Sequence, residues 1–467
     1  MAHIKGIGKD QYLMLPPLVS EWIPVNHPAR IVEMFVNSLK LDGLGFKENN
    51  ENTGRPSYGA EVMLKIILYG YSTGERSSRK MENKTYDDLA YIWLTENLHP
   101  DYRTIARFRQ NNTKGIKELL KETLNLYIGV GQKFDGIIFS DGTKIYANAN
   151  DSNVIREKDI KEMEELAEKM LKEAEKTDKE EDKKNGENNN NFLKEEDLKK
   201  IEKKIAEYKE KLTNSRQNAV SMTDEESKYM KHAGGHGKHL SYNAQISVDK
   251  KGIILEADVV TKASEDGELL KDRVKGVEES TKKKVKKVVA DNGYYETNAV
   301  KEIIEGGRKC IVPKQETQEK DKENFKYNKE KNTYKCEEGK ELKYVGKKNG
   351  RGKTFLVYAA KKEDCMSCSL IGQCYKGKGL SKYGRRIMIY EDKKFMDSYR
   401  RILKRNKILY NKRKSIVEPV IGTIKSALRF RRFALRGLEK VKSEWNLITT
   451  VFNLMKIRKI IIDGNRS

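Results

Sequence analysis

The sequence holds no apolar run approaching the ~18 residues a helix needs to cross a bilayer. The first ten residues form neither an apolar signal segment nor a lipidation motif, so membrane-spanning and secreted readings are set aside. Cysteine is scarce and odd in number, five in 467 residues, which excludes a disulfide scaffold and fits a reducing cytoplasm. Acid is the deficient charge: 70 Asp and Glu face 94 Lys and Arg. The resulting net charge of +24 points to a polyanionic partner, most often nucleic acid. What is present is enough for a core: 37% hydrophobic against 35% charged residues is polar for a globular chain but not a disordered composition. At ~150 residues per domain, the length implies two or three modules.

The charge is unevenly placed. Residues 151–211 hold 20 acids and 16 bases, a net of −4, so the remainder carries +28. Within that stretch Leu198, Ile201, Ile205, Tyr208 and Leu212 recur at 3-4-3-4 spacing, a coiled-coil seam. Met163, Leu166 and Met170 give a shorter copy. Asn185-Gly186-Glu187 and the asparagines at 188–191 break any helix between them. Two antiparallel helices with an Asn-rich tip are expected, a charged hairpin without chemistry of its own.

Residues 1–131 are mostly helical in pattern. Val62, Met63, Ile66 and Ile67 form one apolar stripe and Leu89, Ile92 and Trp93 another, with Gly70, Gly74, Asn97 and Pro100 as expected breaks. Over residues 101–110 the spacing predicts an amphipathic helix. Arg103, Arg107 and Gln110 share one face at i, i+4 and i+7, while Ile105 and Phe108 point the other way. A helix entering a DNA groove needs that combination of guanidiniums, an amide and an apolar back.

Further along, residues 136–140 read as a short strand and Tyr242, Ala244, Ile246 and Val248 alternate as a second. A third covers residues 253–260 after the Lys250-Lys251-Gly252 turn, a fourth covers 285–290, and a helix is expected over 298–304. The pattern is a mixed α/β layer. Asp141 and Asp291 each follow an apolar strand and each precede a turn sequence, Asp141-Gly142 and Asp291-Asn292-Gly293. Both readings stand for each of them, turn former or catalytic group. Glu418 shifts the balance: residues 399–432 contain 12 Lys or Arg and this single acid. Pro419 favours a helix beginning there, with Glu418 at the N-cap or beside it. Strand-end and helix carboxylates in a basic field suit Mg²⁺-dependent phosphodiester transfer, in which hard oxygen ligands hold two cations ~4 Å apart.

These blocks carry a family resemblance. Ile138-Phe-Ser-Asp141-Gly-Thr-Lys-Ile-Tyr-Ala-Asn148, Val289-Ala-Asp291-Asn-Gly-Tyr-Tyr-Glu and Val417-Glu418-Pro-Val-Ile-Gly-Thr-Ile-Lys425 resemble the three blocks of DDE transposases from bacterial insertion sequences. Gly54-Arg-Pro-Ser-Tyr58 and Leu68-Tyr-Gly-Tyr-Ser-Thr-Gly-Glu-Arg-Ser-Ser78 resemble the helical N-terminal domain of those proteins. The stretch Phe430-Arg-Arg-Phe-Ala-Leu-Arg-Gly-Leu-Glu-Lys-Val-Lys442, with Asn446 and Asn453-Leu454, fits as well. The resemblance implies a ribonuclease-H-like core in which Asp141, Asp291 and Glu418 gather around Mg²⁺ or Mn²⁺. It implies cleavage of the element's own ends and joining of the 3′ hydroxyls to target DNA. The partners would be double-stranded DNA, at the element ends and the target, and a second copy as a homodimer in the DNA complex. The setting would be the bacterial cytoplasm, at the nucleoid. A further family signature reads Tyr-x2-Arg-x3-Glu-x6-Lys. Tyr410-x2-Arg413 and Glu418-x6-Lys425 match it, but four residues separate Arg413 from Glu418, and Lys414 restores three. The basic member therefore stays open between Arg413 and Lys414. Cations within a turn or two of the carboxylate can clamp a phosphate, and Lys425 is read the same way.

The fold class expected is a multi-domain α/β chain: a ribonuclease-H-like mixed-sheet core with an all-α N-terminal domain, a helical-hairpin insertion and a Cys-containing insertion. The boundaries are 1–131 for the helical DNA-binding domain, 132–150 and 216–305 for the first part of the core, and 151–215 for the hairpin. The Cys-containing insertion covers 306–395, and 396–467 forms the C-terminal helical part of the core. In that insertion Cys365-x2-Cys368-x5-Cys374 and Cys336 offer four thiolates for structural Zn²⁺, with reduced thiols as the alternative. Cys310 reads as a buried strand residue. His232, His236 and His239 flank glycines, which favours a loop over a metal site. A DNA-binding regulator would leave the carboxylates unexplained, and a structure-specific nuclease on the same fold would not need the N-terminal helices. No nucleophile constellation supports a serine or tyrosine recombinase.

Overall fold

The computed structural model describes residues 18–46, 57–181, 192–215, 219–232, 237–262, 267–314, 325–350, 353–375, 380, 382–391 and 393–464. The chain is mixed α/β and forms two units, Met1–Cys310 with Lys412–Ser467, and Ile311–Asn411. No helix among the described residues is long and apolar enough to cross a membrane. The Gly54-Arg55-Pro56 part of one family-like block, the Asn-rich tip and His236 lie outside the described residues.

The first unit begins with helices α1 (Pro28–Ser38), α2 (Ala60–Ser72), α3 (Ser78–Asp87), α4 (Leu89–Thr95), α5 (Tyr102–Asn111) and α6 (Thr113–Gly129). Their starts are set by local chemistry. Pro28 stands in the first turn of α1, and the Asp88 and Asp101 carboxylates accept the free N–H groups of α4 and α5. Helix α2 is buried from Met63 to Tyr71. Gly70, expected as a break, lies inside it. A Cβ there would come within 2.5 Å of the Met81 methyl and 2.9 Å of the Tyr91 hydroxyl, so the glycine serves close packing against α3 and α4. On α4 the buried residues are Ala90, Tyr91, Leu94 and Thr95, while Leu89, Ile92 and Trp93 are only half-buried. The Arg30 guanidinium covers the Trp93 ring at 4.6 Å, which keeps that face from being plain core.

A six-stranded sheet follows, built from β1 (Ile137–Tyr146), β4 (Lys228–Lys231), β5 (Lys238–Val248), β6 (Ile254–Val260), β7 (Lys287–Val289) and β8 (Lys309–Ile311). Between β1 and β4 lies an excursion: β2 (Val154–Arg156), α7 (Glu157–Glu181), α8 (Phe192–Ser215) and β3 (Ala219–Ser221), with β2 and β3 paired antiparallel at its base. The strand order is β4-β5-β1-β7-β8, and β6 also pairs with β5, across it from β1. β5 runs antiparallel to β1 and β6, whereas β7 is parallel to β1. That parallel pairing is made possible by the crossover through α9 (Gly267–Thr281), and α10 (Thr297–Glu305) follows β7. Cys310 is buried in β8.

Helices α7 and α8 pack on each other through Ile160, Met163, Ala167 and Met170 against Ile201, Ile205, Tyr208 and Leu212. Leu166, expected in this seam, is 53% exposed; Ala167 takes its place because the small side chain lets the helices approach. The side chain of Leu198 lies outside the described set.

The first unit closes with α14 (Lys407–Ser426), described below, and α15 (Leu438–Gly464). α15 is buried on nearly every face from Val441 to Leu454, a core helix with no amphipathic stripe. It packs on α1, α2, α6 and β6. Asn453 accepts from Ile254 N–H at 2.9 Å and donates to Ile254 C=O at 2.8 Å and to Thr123 at 3.0 Å. That amide occupies the backbone groups an outer strand leaves unpaired. Glu444, also buried, accepts from Tyr71 and from the Ala434 and Leu435 N–H groups. The N-terminal helices therefore share one core with the C-terminal helix.

The second unit is an antiparallel sheet in the order β13-β12-β11-β10-β9, from β9 (Lys326–Asn328), β10 (Thr333–Lys335), β11 (Glu341–Gly350), β12 (Lys353–Ala359) and β13 (Arg386–Tyr390). Short helices α11 (Lys362–Met366) and α12 (Ile371–Cys374) cross from β12 towards β13, and α13 (Lys393–Arg405) follows. Its core is small, consisting of Tyr334, Leu342, Tyr358, Ala360, Cys365, Ile387 and Ile389. Tyr399 is fully buried and clamps Val312, accepting its N–H and donating to its C=O.

Candidate active site

The pairing of β1 with β7 places Phe139 opposite Val289 in a parallel register. Asp141 and Asp291 each stand two residues beyond that pair, so the sheet itself sets the two carboxylates side by side. Asp141 does not end its strand, as the sequence suggested. β1 continues to Tyr146, because residues 141–146 find partners on β5 from Ile246 to Ser241. Asp141-Gly142 is thus strand, with the Gly142 N–H donating to the Asp141 carboxylate at 2.8 Å. Asp291 does close its strand. It accepts the Gly293 N–H at 2.9 Å and caps the short turn 292–294, which the buried Tyr294 pins to Gln245 of β5.

The third part comes from α14. Glu418 is not at a helix start: α14 runs unbroken from Lys407 to Ser426 with Pro419 inside it. Proline there removes the N–H that would bond the Ser415 carbonyl, a defect of about 3 kcal/mol in an ordinary helix interior. Ser415 and Pro419 are exposed, where water can serve that carbonyl, and the opposite face is anchored by buried Arg413, Val417, Val420 and Ile424. Those four recur at i, i+4, i+7 and i+11. Lys414, Glu418 and Lys425 lie on a neighbouring stripe, Glu418 exposed. Tyr410 lies half-buried one turn before Lys414.

Arg413 donates to Asp141 at 2.6 Å, with side-chain exposures of 8% and 18%. Burial holds the Asp141 carboxyl above its ordinary pKa; Arg413 and the Gly142 N–H pull it down, Asp291 pushes it up, and the net direction is upward. Lys425 donates to the Thr143 hydroxyl and to the Lys144 carbonyl of β1. Burial, then repulsion from Arg431 and Lys144, lowers its pKa. Of the two cations the sequence left open, Arg413 thus stands on the first aspartate, and Lys414 shares the stripe of Glu418.

Among the described residues no three His, Cys, Asp or Glu side chains stand close enough together to hold a metal ion. The structure brings Asp141 and Asp291 together, and Glu418 makes no hydrogen bond or ion pair with another described residue. The role of Arg413 was open to discovery in the sequence through its place in the apolar i, i+4, i+7, i+11 pattern, where a guanidinium needs a buried anion.

On α5, Arg103, Arg107 and Gln110 are exposed on one face, and Ile105 and Arg109 are buried on the other. Arg109, unremarked in the sequence, donates to Tyr71, Ser78 and the Arg76 carbonyl and so fixes α5 to α2 and α3. His239 lies in β5 and not in a loop. It pairs with Asp151 at 2.6 Å, while His232 pairs with Ser241 and stacks on Tyr146 at 4.3 Å between centroids.

Two family models match the chain. One, described as a transposase DDE domain, matches residues 335–458 and so contains Arg413, Glu418 and Lys425. The other, described as a transposase domain (DUF772), matches residues 18–111 and contains Arg103, Arg107 and Gln110. No curated protein and no solved structure matches.

Proposed function

Because the chain is a DDE-type transposase of an insertion sequence, we propose that it binds the terminal inverted repeats of its element, cleaves the ends and joins the 3′ hydroxyls to target DNA. The core would be ribonuclease-H-like, residues 1–131 would recognise the ends, residues 151–215 and 306–395 would be insertions, and two copies would act together on DNA at the bacterial nucleoid. Asp141, Asp291 and Glu418 would hold Mg²⁺ or Mn²⁺. The observation that carries this reading is the equal offset of Asp141 and Asp291 beyond the Phe139–Val289 pair, with α14 crossing beside them.

The donor set fits a hard divalent cation, since both aspartates offer oxygen ligands at adjoining strands and Asp141 already attracts a cationic partner. When bound, the metal supplies charge neutralisation at the phosphate and a more acidic oxygen nucleophile. The chain's own residues do the rest. Arg413 pairs with Asp141 and, with a cation on that carboxylate, would be free to hold a phosphate oxygen. Lys425, anchored on β1, and Lys414, on the stripe of Glu418, would offer two further cations to the backbone of a bound strand. The exposed Arg103, Arg107 and Gln110 face offers guanidinium and amide groups to a DNA groove.

A donor plasmid carrying the inverted repeats tests this directly. Asp291→Ala or Glu418→Ala should abolish cleavage and joining while end binding persists. Strand transfer retained by Glu418→Ala would remove that residue from the site. Charge-removing changes at Arg103 and Arg107 should weaken end binding and flatten its salt dependence.

A further inference from the structure

The second unit contains four of the five cysteines, and they sit around one small core. Cys365 is buried in it and Cys336 is packed against it. Cys336 follows β10 in a tight turn, where its N–H donates to the Lys340 carbonyl and Gly339 adopts φ +74° to return its own N–H to Cys336. Cys365 lies in α11, Cys368 follows with its N–H on the Cys365 carbonyl, and Cys374 ends α12. A hairpin turn and a two-helix segment from a separate part of the chain thus carry the four cysteines on elements packed around the same small core.

The sulfur of Cys365 is approached closely by the backbone beside it. The Arg385 N–H donates to its sulfur at 3.2 Å. Gly384, just before, has no side chain where a Cβ would stand 2.6 Å from that sulfur, so the backbone can approach only because the residue is glycine. Ile371 of α12, the helix that Cys374 ends, packs against the same cluster as Cys336.

We propose that Cys336, Cys365, Cys368 and Cys374 form a structural zinc site that fastens the hairpin at Cys336 to the α11–α12 segment. The four thiols release four protons to solvent as Zn²⁺ binds, leaving a tetrahedral tetrathiolate with no open position for chemistry. Among the described residues no three of these side chains already stand together as a metal cluster, so binding has to draw the four thiols in. The need for such a site follows from the cluster that these elements share: seven buried residues are few for five strands, and a metal cross-link supplies stability that so small a cluster lacks. The site is independent of the catalytic carboxylates, so its failure and theirs are separable.

The test uses the full-length protein purified without chelator. Elemental analysis should find one zinc per chain, and titration with an organomercurial should release it in step with modification of four thiols. Cobalt substitution should give the intense visible bands of a tetrahedral thiolate site. Cys374→Ser, at a half-exposed position, should lower zinc retention, whereas Cys310→Ser should leave one zinc per chain. Metal-free protein whose four thiols are alkylated rapidly in the native state would overturn the proposal, as would zinc retained unchanged in Cys374→Ser.

Discussion

Arg413→Ala is the most informative single change, because its expected cost depends on the electrostatic state of the site. The guanidinium is 8% exposed and bonds an 18% exposed carboxylate at 2.6 Å. Removing it leaves Asp141 in a poorly solvated position beside Asp291, and stranding one member of a buried pair costs about 3 kcal/mol. With an unfolding entropy of ~2.1 cal/mol/K per residue, a unit of this size would lose roughly 4 °C in Tm. The sign with pH follows from the raised pKa of Asp141. The ionised carboxylate is a folded-state cost that develops as pH rises from its unfolded value through its folded one. The variant's deficit should therefore be largest near neutrality and shrink as acid protonates Asp141 in both states. Mg²⁺ should narrow the gap, since a cation on Asp141 replaces the lost charge; at ten times its Kd it adds about 1.4 kcal/mol. Thermal unfolding of Arg413→Ala, Asp141→Ala and the double variant, with and without Mg²⁺ and across pH, gives the coupling energy. A coupling below about 0.5 kcal/mol, or a deficit unchanged by acid and by Mg²⁺, would refute the pairing as the source of the effect.

Asn453→Ala should cost about 3 kcal/mol, because it leaves the buried N–H and C=O of Ile254 unpaired and frees Thr123; urea unfolding measures it, and a loss under 1 kcal/mol would mean that water replaces the amide. Replacing residues 157–218 by a short Gly/Ser turn should preserve the unfolding transition of the remaining first unit, because α7 and α8 bury their apolar seam in each other. Metal-dependent nicking of end DNA should also persist, and loss of both would show that the hairpin supports the core.

Local pattern determined much of this protein. Alternation marked β5, the Lys250-Lys251-Gly252 turn marked β6, the i, i+4, i+7 face marked α5, and the 3-4-3-4 seam marked α8, because each depends on neighbours within a turn or a strand. The three candidate carboxylates stood out as well, as isolated acids after apolar runs or in a basic field. What their strands and helices do next did not. Asp141-Gly142 is a good turn sequence, yet it stays extended because β5, about a hundred residues away, pairs with it. Pro419 is a good helix starter, yet it lies inside α14 because the buried face at Arg413, Val417, Val420 and Ile424 stabilises the helix on both sides of it. Leu166 matches a heptad position and still faces solvent, since the approach of α7 to α8 selects Ala167. Only the tertiary structure could set Asp141 beside Asp291, pair Arg413 with Asp141, and give the N-terminal helices a core shared with α15. Each of those depends on contacts between residues far apart in the chain, where local propensity carries no information and burial decides.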